Sequence, residues 1–132
     1  MNEGHRLHEA HIEGGMEPAG AFTVESRPAP AGVSLVELGG ELDIAATTAV
    51  RSCVDEAVGR RALVLDLSGA TFVDSSMLKE LLRASAELDR YETRLVLAGI
   101  TAPVRRVLEL TRTTDLFTIA ADRGAALALV DA

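Results

Sequence analysis

Asp74-Ser75-Ser76 is the stretch best suited to chemistry, because two hydroxyls follow a carboxylate where an apolar run gives way to a helical pattern. Serine is favoured just ahead of a helix, where its oxygen accepts a hydrogen bond from an otherwise unpaired amide of the first turn. The same hydroxyl can carry a phosphoryl group, since a phosphate there meets unpaired N–H donors and the positive end of the helix dipole. The ordinary alternative is a plain cap, and the residue types leave both readings open.

Other reactive groups are less well placed. Asp66 closes the apolar run Leu63-Val64-Leu65, as the acceptor aspartate of a phosphorelay receiver would, and Glu41 with Asp43 could pass for the accompanying acidic pair. A receiver also needs a magnesium cluster and a lysine late in the sheet. Lys79, the only lysine, falls instead in a helical pattern. His5, His8 and His11 recur every three residues among glycines; adjacent members could share a metal, but a solvated tail explains them equally. Beyond that tail there is no histidine and no glycine-rich phosphate loop, so neither acid–base catalysis nor nucleotide chemistry is indicated. The expectation is a binding protein rather than an enzyme, with no cofactor and no metal. Cys53, the sole cysteine, lies on an apolar helical face and reads as a small buried hydrophobe.

The elements that must hold Ser75 follow from periodicity. Residues 21–26 and 33–38 alternate apolar and polar positions around the turn Pro28-Ala29-Pro30-Ala31-Gly32, predicting two strands, the second ended by Gly39-Gly40. Asp43 is placed to cap a helix over 44–58, in which Ile44, Val50, Val54, Ala57 and Val58 mark one side. The run 61–65 reads as a strand covered on both faces. A helix beginning near Ser76 follows, with Leu78, Leu81, Leu82 and Leu88 inward and Lys79, Glu80, Arg83 and Glu87 in solvent. Then come a strand over 94–99, a helix opened by Thr101 and Pro103, a strand over 116–119 and a helix over 122–130. Alternation of strand and helix implies parallel crossovers, hence an α/β fold: one mixed, mostly parallel sheet of about five strands packed with about four helices.

Composition narrows the partner. The chain has 132 residues, 48% of them hydrophobic, which suffices for one core. Residues 1–20 read as a mobile acidic N-terminal tail and 21–132 as the single domain. Aromatics are only 3% and the formal net charge is −7, so base stacking and phosphate-backbone binding are disfavoured and a nucleic-acid partner is not expected. No apolar run reaches the length of a membrane span, and the start lacks a hydrophobic signal region, so the expectation is a cytoplasmic protein with no membrane partner.

Three segments together resemble the STAS domain family, in particular bacterial anti-sigma factor antagonists. They are Gly40-Glu41-Leu42-Asp43, the stretch from Leu63 to Ser76 with its Asp-Ser-Ser, and Pro103-Val104-Arg105-Arg106-Val107-Leu108-Glu109-Leu110-Thr111. Their order and spacing span roughly residues 21–130. The resemblance implies a protein that docks, unmodified, onto an anti-sigma factor with serine kinase activity and so frees a sigma factor. That kinase then phosphorylates the first serine after the motif aspartate, here Ser75 with Ser76 as the alternative, and a serine phosphatase reverses it. The implied partner-binding residues are Glu41, Asp43, Asp74, Ser75, Ser76 and Met77. Met77 stands where the family has glycine, and it either projects toward the partner or packs inward in the first helical turn. A STAS subunit of a transporter or of a sensory signalling complex would share the fold.

Overall fold

The computed structural model describes residues 22–131, so the expected tail and its three histidines lie outside the described residues. Strand β1 (Phe22–Arg27) turns through Gly32, whose φ of +80° suits glycine, into β2 (Val33–Leu42). Helix α1 (Ile44–Ala57), strand β3 (Ala62–Val73) and helix α2 (Ser75–Arg90) follow. Strand β4 (Arg94–Ala98), helix α3 (Ala102–Leu110), a 3-10 turn (Thr114–Leu116), strand β5 (Thr118–Ala120) and helix α4 (Arg123–Asp131) complete the chain.

The strands lie in the order β1-β2-β3-β4-β5. The first pair is antiparallel and the other three are parallel, the mixed sheet with four helices that the sequence pattern predicts. Leu63, Leu65 and Leu67 of β3 face α1 and α2, meeting Val50 and Val54 of α1 and Met77 and Leu81 of α2. Ala62 and Val64 face the other side, where Ala126 and Val130 of α4 cover them. Each buried Leu or Val contributes roughly 1.5–3 kcal/mol, so a strand buried on both faces anchors the fold.

Several boundaries differ from the sequence expectation. Gly39-Gly40 does not end β2; the strand continues to Leu42, with register shifts on either side of these glycines. They mark bulges where chains pass closely: a Cβ at Gly39 would stand 2.8 Å from Thr23 Oγ1. Strand β3 likewise runs through Ser68-Gly69 to Val73, because paired β2 continues beside it. The last strand begins at Thr118, two residues later than expected, since Leu116 belongs to the 3-10 turn. Ile44, expected on the buried side of α1, is 68% exposed at the helix mouth.

Candidate functional site

The ends of β2 and β3 bring the expected residues together. Glu41 and Leu42 pair with Phe72 and Val73, and the Asp74 amide donates to the Leu42 carbonyl at 3.3 Å, so two helices start side by side. Each start is capped by an aspartate in extended conformation. Asp43 Oδ1 accepts from the Ala45 amide at 3.0 Å, and Asp74 Oδ1 accepts from the Met77 amide at 2.9 Å. A third helix mouth lies alongside, where Thr101 Oγ1 donates to the Ala70 carbonyl at 2.8 Å.

Ser75 is the first residue of α2 and is exposed. Since Asp74 supplies the cap, the Ser75 hydroxyl is not committed to it, which corrects the expectation of a capping serine. Ser76 is half-buried and lines a groove of about 400 Å³ between α1 and α2. Glu41 is exposed, and Asp43 and Asp74, the caps of the two neighbouring helices, are half-buried. Two apolar side chains of these elements are exposed: Ile44, the first residue of α1, and the 45%-exposed Phe72, which pairs with Glu41.

Met77 points the other way. It is fully buried in the core, on the stripe that Leu81, Ala84 and Leu88 continue at helical spacing. Its side chain therefore presents nothing to a partner, contrary to the expected partner-binding set, and the inward alternative is the one observed.

Glu80 is a second correction. It was expected in solvent, yet it is 4% exposed and bridges the helices, accepting from Arg51 Nη2 and Arg83 Nη2, each at 2.8 Å. Burial alone would raise its pKa, but hydrogen bonds and charge from Arg83 and Arg51 outweigh burial and hold it below the ordinary glutamate value. Its hydrogen bonds likewise raise the pKa of Arg83. The Glu80–Arg83 spacing of three residues was a readable signal, but Arg51 is 29 positions from Glu80 and carried none.

Asp66 has a structural task. It is 6% exposed, lies inside β3 and accepts from Arg123 Nε of α4 and from the Ser68 amide, both at 3.0 Å. Arg123 also pairs with Glu37, which in turn pairs with Arg27 at 2.9 Å. No group of three His, Cys, Asp or Glu able to hold a metal occurs among the described residues, so the magnesium cluster of a receiver has no counterpart there. Glu41 lies in β2 and Asp43 caps helix α1. Cys53 is buried, and burial first, then the Glu56 charge, push its thiol up to about 12. No helix among the described residues is long and apolar enough to cross a membrane.

Comparison with known proteins gives concordant results. The STAS domain description matches residues 26–126. An anti-sigma F factor antagonist from Paenibacillus polymyxa is 34% identical over 82 residues, covering 60% of this chain and 70% of that protein. The crystal structure of an anti-sigma factor antagonist from Mycobacterium paratuberculosis aligns with a TM-score of 0.73 at 26% identity, over 89% of this chain and all of that one. A sulfate transporter family protein from Wolinella succinogenes shares the fold with a TM-score of 0.71 at 16% identity, over 80% of this chain and 89% of that one.

Proposed function

The chain belongs to the STAS domain family, and we propose that it is an anti-sigma factor antagonist: a binding module, not a catalyst, switched by phosphorylation of Ser75. Unmodified, it docks onto an anti-sigma factor with serine kinase activity and releases the sigma factor held there. The docking surface comprises Glu41, Asp43, Asp74, Ser75 and Ser76, with Ile44 and Phe72 as its apolar part.

The observation that carries this reading is the division of labour at the mouth of α2, where Asp74 caps the helix and leaves an exposed hydroxyl on the next residue. Phosphorylation by the partner kinase would add about −1.5 to −2 charges beside three carboxylates. A partner surface complementary to the bare hydroxyl then meets repulsion and a desolvation cost, and a serine phosphatase restores the binding form. Antagonist function is favoured over a transporter subunit because the 34%-identical relative is an antagonist, whereas the transporter likeness at 16% identity concerns the fold alone.

Titration calorimetry of the chain against candidate anti-sigma factors tests this. Wild type and Ser75→Ala are expected to bind alike and Ser75→Asp more weakly; undiminished binding by Ser75→Asp contradicts a charge switch at this residue.

A further inference from the structure

Lys79, the only lysine of the chain, stands one helical turn after Ser75 on α2. Residues four apart on a helix are neighbours, and helical side chains lean toward the N-terminus, so a lysine at 79 reaches back over the turn that Ser75 opens. The order of the two also matters. An anion ahead of a cation at this spacing is the favourable arrangement, because it accords with the helix dipole. Unmodified Ser75 offers a hydroxyl there and no charge.

Lys79 is also the cation left free to respond. It is exposed and makes no ion pair among the described residues, although it lines the α1–α2 groove together with Ser76, Arg51 and Arg83. The two arginines are committed, since Arg51 Nη2 and Arg83 Nη2 each hold Glu80 at 2.8 Å. Turning either toward a phosphate would weaken the pairing of a carboxylate that is only 4% exposed, a cost that Lys79 does not bear. The other charged groups of the elements meeting at this corner are Glu41 at the end of β2, the caps Asp43 and Asp74, and Arg105 and Arg106 of α3.

We propose that Lys79 is the internal counter-ion of phosphorylated Ser75, an inference that rests on the assignment of Ser75 as the modified residue. The phosphoryl oxygens draw the ammonium toward the helix mouth and out of the groove, where Arg51 and Arg83 stay on Glu80. Phosphorylation then alters the docking surface twice. It adds negative charge at the mouth of α2 and takes one of three cations from the groove beside it.

Phosphorus-31 titration of the full chain tests it, with phosphoserine installed at position 75 during translation so that no kinase is needed. A nearby cation favours the dianion, so Lys79 lowers the second phosphate pKa, ordinarily about 6. K79Q should raise it by about 0.2–0.4 units, the size of an exposed ion pair at this spacing. K79R should keep the wild-type value. The difference between wild type and K79Q should shrink in 1 M salt, where the Debye length is about 3 Å. Glu41, Asp43, Asp74, the α3 arginines and the α2 dipole act alike in wild type and variants, so the difference isolates position 79. A pKa equal in wild type and K79Q, a K79R value equal to that of K79Q, or a difference undiminished by salt overturns the proposal. Because the phosphate is placed without a kinase, that failure leaves the assignment of Ser75 standing. A cognate kinase that never modifies Ser75 overturns the assignment and leaves the titration unchanged.

Discussion

Asp74 and Met77 are joined by one hydrogen bond, from the Met77 amide to Asp74 Oδ1 at 2.9 Å, and this bond determines what the intervening serines are free to do. With the Met77 amide satisfied by the Asp74 carboxylate, the cap does not depend on the Ser75 hydroxyl. Met77, drawn into the first turn, points inward to the core.

Removing the cap and removing the serine should therefore have different effects. Asp74→Ala is expected to lower unfolding free energy in urea by about 0.5–2 kcal/mol, the usual cost of a lost N-cap. Ser75→Ala should stay within about 0.5 kcal/mol of wild type, as for surface changes generally. A larger loss for Ser75→Ala than for Asp74→Ala contradicts the assignment of the cap.

Glu80 should make stability depend on acid. Its folded-state pKa is depressed, so its contribution is present above the unfolded value of about 4.3 and is lost as pH falls through the lower folded value. Glu80→Gln should flatten that acid limb and cost about 1–3 kcal/mol near neutrality, because Arg51 and Arg83 lose a charged acceptor. Urea midpoints measured across that pH range check both; an unchanged acid limb contradicts the role given to the bridge.

Much of this was legible in the sequence. Strand–helix alternation gave the layered sheet, and Asp-Ser-Ser after an apolar run located the helix mouth. Where local patterns misled, long-range pairing was the reason. Gly39-Gly40 resembles a strand end until β3 is seen alongside, and Glu80 looks solvated until Arg51 arrives from a different helix. Asp66 looked like an acceptor because Arg123, 57 positions away, cannot be paired with it by inspection.

Asp66 should take up no phosphoryl group. Incubation with acetyl phosphate and magnesium is expected to leave the intact mass unchanged, since the carboxylate is held by Arg123 and the Ser68 amide. Asp66→Ala should cost about 1–3 kcal/mol by stranding those donors. Magnesium-dependent mass gain, absent in Asp66→Asn, would revive a receiver-like role.

Cys53 should be inert in the native state. With its thiol pushed up to about 12, thiolate is scarce at pH 8 and the sulfur is buried. Reaction with a disulfide reagent should be orders of magnitude slower than in denaturant. Comparable rates in the two states contradict the burial.

The central claim is that Ser75 is the switch, and mapping the phosphorylation site tests it most directly. The wild-type, Ser75→Ala and Ser76→Ala chains would each be incubated with ATP and candidate anti-sigma serine kinases, then measured by intact mass and peptide fragmentation. One phosphoryl group on wild type and Ser76→Ala, and none on Ser75→Ala, is the expected result. Phosphorylation of Ser75→Ala to the same extent as wild type would contradict it.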